Sequence, residues 1–203
     1  MDTSHEVLNL RTTPIQQRSS DRMQSLLDAA AVLIDEDGID GVATTAVAHR
    51  SRSSVGVLYR YFPDVDSLLK ALAQRNMQRY MDRASLAPWA AWDTTFGSYV
   101  DMYRHEPGFR HLGFGDIITE RFLGGEFTNS TVVARIFAQM LSEEHTVPVT
   151  DSMLFHLDVA IAMAVAIVHR AFLYDPKGDE RFIEEARKMV GAYLRAEIPM
   201  TSE

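Results

Sequence analysis

Apolar residues recur at helical spacing through most of this chain, and the breaks in that rhythm divide it into short N-terminal helices and longer C-terminal ones. Met23, Leu26, Leu27, Ala30, Leu33 and Ile34 form one stripe with a period of about 3.6 residues. The stripe predicts a helix over about Ser20–Asp37, capped by Ser19 or Ser20 and stopped at Gly38. A second, short helix is expected from about Thr45 to Ser51, with Thr44 as its cap and Val47 and Ala48 facing inward. A third starts near Ser54 and ends near Tyr61, because Pro63 disfavours helical geometry at Phe62. Asp64 and Asp66 suit the positive end of a fourth helix, which carries Leu68, Leu69, Leu72, Met77 and Met81 to about Ser85.

Ala87-Pro88 then marks a joint. Trp92–Arg104 reads as a helix rich in aromatics, Pro107-Gly108 as a turn, and Phe109–Phe122 as a helical stretch broken at Gly113 and Gly115. Helices follow over Ser130–Glu143, from Thr150 to about Tyr174, and from about Asp179 to Ala196. Residues 1–18 are polar and aperiodic and read as a mobile arm. No strand alternation or internal repeat emerges, so the fold class is all-α.

Composition narrows the picture little. The 203 residues are 46% hydrophobic and 24% charged, as expected of a soluble globular protein of one domain or two small ones. The polar N-terminus carries no signal-peptide pattern. The most apolar run, Val159–Val168, spans ten residues, too few to cross a bilayer. Without cysteine there is no disulfide and no thiolate zinc site. A cytoplasmic protein with no membrane association is expected.

Charge changes the picture more. The net charge is −8, yet residues 1–85 hold 10 Lys and Arg against 11 Asp and Glu, leaving 10 against 17 for the rest. Between Gly41 and Pro63 stand Arg50, Arg52 and Arg60 with no acid at all. A cationic island in an acidic chain points to phosphate on one small face.

That island coincides with a helix, a tight turn and a second short helix. In a helix-turn-helix the second helix enters the major groove while the first crosses the backbone. The entering helix must be short and must expose small or polar groups at its start, as Ser53, Ser54, Val55, Gly56 and Val57 do. Gly56 lets the backbone approach DNA, Val55 or Val57 suits a thymine methyl, and Ser54 suits a base edge or phosphate. Tyr59, Arg60 and Tyr61 suit phosphate oxygens at the far end, with Thr44, Thr45 and Arg52 flanking. Leu58 and Phe62 face the opposite way, into a small core.

The string GVLYRYFPDVDSLL, with Gly56, Leu58, Tyr59, Tyr61, Phe62, Asp66 and Leu69 in register, resembles the recognition helix and following segment of the TetR family of transcriptional repressors. Val47-Ala48 resembles that family's Ile-Ala pair, and the Asp37-Gly38 helix end is also similar. The motif resemblance covers roughly residues 20–70, and a Pro107-Gly108-Phe109-Arg110 run is like those of many members. Two positions depart from it. Arg52 stands where a glycine is usual in the turn, which calls for left-handed backbone at a cost of about 1 kcal/mol. Val65 stands where a phosphate-reaching lysine is common.

The resemblance implies an N-terminal three-helix DNA-binding domain over 1–64, with its helix-turn-helix at about 44–62, and a helical ligand-binding and dimerisation domain over 65–203. It implies a repressor released from a palindromic operator on double-stranded DNA by a small-molecule effector. It also implies an effector cavity between helices of the second domain. Trp92, Phe96, Tyr99, Tyr103, Phe114, Ile118, Phe122, Phe155, His156 and Val159 are the candidate lining, apart from those that only build the core. Aromatic walls with few polar groups suit a small apolar or aromatic ligand, and His105, Glu106, Arg121, His156 and Asp158 are candidates for the polarity.

The helix from Ser152 to Tyr174 is apolar nearly all round and must be covered on two sides. Ala160, Ala162, Ala164 and Ala166 permit close approach, so this helix and the amphipathic last one are expected to pair with a second copy as a four-helix bundle. A homodimer then places two recognition helices in successive major grooves, roughly 34–36 Å apart.

No catalytic site is expected. No His pair has i, i+4 spacing, no G-x-S-x-G is present, and Gly113-Phe114-Gly115 lacks the rest of a dinucleotide motif. Metal and cofactor are therefore expected to be absent. The competing reading is a small helical ligand carrier or enzyme that merely contains a helix-turn-helix-like segment.

Overall fold

The computed structural model describes residues 14–84, 92–114 and 129–198, and among these every regular element is helical. The α-helices are α1 (Pro14–Asp37), α2 (Thr44–Arg50), α3 (Val55–Tyr61), α4 (Val65–Arg83), α5 (Trp92–His105), α6 (Phe109–Leu112), α7 (Asn129–His145), α8 (Asp151–Phe172) and α9 (Glu180–Glu197), with a 3₁₀ turn at Ile39–Gly41. The all-α expectation holds.

Two helix starts differ from the sequence reading. α1 begins six residues early, at Pro14, a residue whose fixed φ suits a first turn. Ser19 and Ser20 are thus interior positions and not caps. The extension is steadied by a Gln17 Nε2 bond to Asp21 Oδ1 one turn on (2.9 Å) and by the contact of Ser19 with Tyr61. Of the mobile arm expected over 1–18, residues 14–18 are therefore helix and residues 1–13 lie outside the described residues. α2 already includes Thr44, and extended Ala43 occupies its cap position with no side-chain bond. The caps predicted at Ser54 and Thr150 are in place, and Asp64 caps α4. Ser54 Oγ accepts from Val57 N (3.2 Å), Asp64 Oδ1 from Ser67 N (2.7 Å), and Thr150 Oγ1 from Met153 N (3.1 Å).

The helices gather around two cores. Leu26, Ala30, Ile34, Val47, Leu58 and Phe62 close on Leu68, Leu69 and Leu72 from the first half of α4. Phe96, Tyr99, Met102, Tyr103 and Phe109 pack with Ala138, Leu157, Val168, Ile183, Val190 and Leu194, joined by Tyr80 and Ala84 from the end of α4. α4 therefore runs from one core into the other. The second tie is α6, whose Leu112 belongs to the first core while Phe109 belongs to the second.

The α5–α6 turn fixes that tie. Gly108 adopts left-handed backbone (φ 74°) and its amide donates to Asp35 Oδ1 at 3.1 Å. A Cβ at Gly108 would stand 2.8 Å from the Ala31 carbonyl oxygen in α1. Gly108→Ala should thus lower stability by about 2 kcal/mol, from the left-handed backbone and the forced retreat of α1. Urea titration with an unchanged m-value is the check, and a loss below about 0.5 kcal/mol would show that α1 yields freely.

α8 is the central helix of the C-terminal bundle, packed on α7 and α9. It extends the ten-residue apolar run on both sides and is, by length and composition, apolar enough to cross a membrane. Only 28% of its most apolar window is buried within the chain, so much of its apolar surface awaits cover.

Candidate nucleic-acid interface and effector region

α2 and α3 are held from behind. Val47, Leu58 and Phe62 are 0%, 0% and 4% exposed, and their burial fixes which side of each helix faces out. Ser51 Oγ bonds the Ala48 carbonyl (3.1 Å), and Arg52 then takes φ 52° to reverse the chain. The left-handed turn expected at this arginine is present, and it leaves the guanidinium in solvent.

Of the candidate DNA-contacting residues, Thr45, Arg52, Ser54, Gly56, Tyr59 and Arg60 are exposed, while Thr44, Ser53, Val55, Val57 and Tyr61 are half-buried along the same surface. Gly56 is informative. A Cβ there would meet only Ser54 Oγ, at 3.9 Å, so packing does not require a glycine. Gly56 stands in the first turn of α3 and leaves the backbone there open at the surface.

The cationic island is not as the local sequence suggests. Arg50 is held by two bonds to Glu36 of α1, at 2.9 and 2.6 Å, and is neutralised. Arg52 and Arg60 have no carboxylate within ion-pair reach among the described residues, nor does Arg22, which α1 brings beside the turn. Ser19 was read only as a helix cap and Arg22 not as a contact, since their approach to α3 is a long-range pairing that local sequence does not mark. Tyr61 sits among them. Its bonds with Ser19 and then Arg60, helped by the Arg60 and Arg22 charges, hold its phenol below the ordinary value.

In the second region an aromatic cluster surrounds the end of α4. Tyr80 meets Tyr99, Phe114 and Phe137 with ring centroids 6.1, 5.3 and 6.4 Å away, and Phe109 meets Tyr99, Tyr103 and Phe114 at 6.0, 5.2 and 5.1 Å. Burial pushes the Tyr80 phenol well above its ordinary value. Tyr99, Tyr103 and Phe114, three of the proposed lining residues, belong to this cluster; Tyr80 and Phe109 stand at its centre and were not among the proposed lining.

The other lining candidates lie elsewhere. Trp92 stacks on Phe96 (5.4 Å) and donates Nε1 to the Arg187 carbonyl (3.1 Å), so both serve the α5–α9 contact. His156 bonds Tyr193 Oη through Nδ1 (2.8 Å) with Glu197 3.5 Å from Nε2, and Val159 is half-buried on α8. Phe155 is 62% exposed. Ile118 and Phe122 lie outside the described residues, as does Arg121. Of the candidate polar groups, His105 is exposed, and Asp158 has one buried oxygen without a hydrogen bond. Among the described residues no group of three His, Asp or Glu could hold a metal ion.

Glu106 has a different role. Its side chain is only 3% exposed and it is gripped by two α4 arginines, Arg79 and, at 3.1 Å, Arg83. Arg75, one turn earlier, pairs with Asp28 of α1 at 2.7 Å, and Asn76 Nδ2 donates to the Gly113 carbonyl at 3.0 Å. These bonds stitch α4 to α1 on one side and to the α5–α6 turn on the other, between the exposed cationic face and the aromatic cluster.

Comparison with known proteins agrees with this division. Residues 26–72 match the model of bacterial regulatory proteins of the tetR family, and residues 86–198 match that of the tetracyclin repressor-like C-terminal domain. A solved TetR-family transcriptional regulator from Streptomyces coelicolor is 34% identical, with 87% of this chain and 99% of that one covered and a TM-score of 0.72. The HTH-type transcriptional repressor KstR of Mycolicibacterium smegmatis is 39% identical over 70 residues, 33% of this chain and 34% of that protein. The HTH-type transcriptional regulator BetI of Paraburkholderia phymatum is 40% identical over 50 residues, 25% and 26% of the two chains. The match thus spans about a third or less of the length of these curated relatives.

Proposed function

The chain belongs to the TetR family of transcriptional regulators, and from that premise we propose that it is a homodimeric repressor that leaves a palindromic DNA operator when a small apolar or aromatic effector binds. Residues 1–64 bind DNA and residues 65–203 dimerise and sense, with α4 shared between them. Such a protein acts in the cytoplasm, where the DNA is, and it is not an enzyme. The observation that carries the DNA reading is the recognition helix itself: α3 exposes Gly56, which packing does not require, between the guanidinium groups of Arg52 and Arg60, which have no carboxylate partner among the described residues.

Repression then needs a dimer, and release needs a lever. α4 is the element that both cores share, so a ligand lodged among the Tyr80, Tyr99 and Phe114 rings bears on the helix that leads to the DNA-binding unit. The ligand need only prefer the dimer with wrongly spaced recognition helices by roughly 1–3 kcal/mol.

Selection of bound duplexes from a random pool tests the reading. One palindrome should be enriched, with half-sites about one helical turn or slightly more apart and an affinity that falls steeply as salt rises. Equal binding to every sequence would remove the operator from the proposal. Absence of binding to any duplex would favour a carrier or an enzyme.

A further inference from the structure

The N-terminal part of α1 lies against the recognition helix, and the groups that meet there are hydroxyls and cations. Ser19 Oγ and Tyr61 Oη are 3.1 Å apart, Arg22 Nη1 donates to Ser53 Oγ at 3.5 Å, and Arg60 Nη2 donates to Tyr61 Oη at 3.4 Å. Ser19 and Arg22 are three residues apart and share one face of α1. Asp21, the acid beside Arg22, accepts from Gln17 instead of pairing with the arginine. Arg60 thus donates to the phenol and Arg22 to the hydroxyl of Ser53, just before the other end of the same short helix, and neither guanidinium has an ion-pair partner among the described residues, in a chain of net charge −8. Hydroxyls flanked by unpaired guanidinium groups suit an anion with several acceptor oxygens.

We propose that Ser19 and Arg22 of α1, together with Ser53, Arg60 and Tyr61, form a phosphodiester seat through which α1 as well as α3 holds the backbone of duplex DNA. The proposal rests on the DNA-binding reading above. The contact is to backbone, so it positions the protein without reading bases.

The test measures affinity against salt for wild type, Arg22→Ala and Arg22→Lys, on the duplex selected above and on an unrelated duplex of equal length. Each phosphate neutralised contributes about 0.9 to the slope of log affinity against log salt, so Arg22→Ala should lower the slope by nearly 2 for a dimer. Affinity should fall on both duplexes by the same factor, and Arg22→Lys should keep the wild-type slope. An unchanged slope in Arg22→Ala, or Arg22→Lys behaving like alanine, would overturn the seat while leaving the DNA-binding reading intact. A wild-type protein that binds neither duplex would overturn both.

Discussion

Ala162→Glu should convert the protein from a dimer to a monomer and raise the concentration for half-occupancy of a palindromic duplex by about 100-fold or more. The expectation comes from the uncovered side of α8. Phe155, Ala162 and Ala166 are exposed and Val159 is half-buried, and their spacing of four, three and four residues is that of a helix–helix seam. On α9, Met189, Ala192 and Ala196 form a second exposed apolar stripe with the same rhythm. Two copies of this helix pair would bury all four stripes as a bundle, and the small residues would allow close approach. A carboxylate at Ala162 would be trapped there without a partner. Because the position is open in the single chain, the substitution should leave each protomer folded. Loss of the link between two half-site contacts is what removes the affinity, since the second contact is no longer intramolecular. Sedimentation at micromolar protein reads the first effect, and titration of whole and half-site duplexes reads the second. The half-site should be bound equally by both proteins. A dimeric Ala162→Glu protein with unchanged operator affinity would place the interface elsewhere.

Local periodicity made the helices legible, and local chemistry made the exposed face of α3 legible. Ser54, Leu58 and Phe62 announce both the start of α3 and its buried side within nine residues of sequence. Long-range pairings left no such mark. Arg50 counts as a free cation in an acid-free stretch, but Glu36, fourteen residues earlier, neutralises it. The start of α1 was misplaced at two serines that resemble caps, of which Ser19 is a tertiary partner of Tyr61, 42 residues away. Phe155 shows the same limit in the C-terminal region. An aromatic residue on an apolar helix gives no sign of whether it faces its own core or another molecule, and here it is exposed beside the half-buried His156–Tyr193 pair. Glu106 was legible only as a polar group near a Pro-Gly turn; its two arginines come from a helix more than 20 residues away.

That carboxylate carries the second large expectation. Arg79→Ala/Arg83→Ala should destabilise the protein by about 3–5 kcal/mol at neutral pH, because it strands Glu106 as an unpaired buried charge. The reverse deletion is milder. The Arg79 and Arg83 side chains are 38% and 39% exposed and can turn to water, whereas Glu106, at 3%, has nowhere to go. One consequence separates this from ordinary loss of packing. Adding Glu106→Gln to the double variant should restore much of the loss, since a neutral amide tolerates burial far better than a carboxylate. Urea titrations of wild type, the double variant and the triple variant read the effect. A deficit that Glu106→Gln does not reduce would mean that the arginines act through their stems packed on α5, and that the charge of Glu106 is not what fastens α4 to the turn below the aromatic cluster.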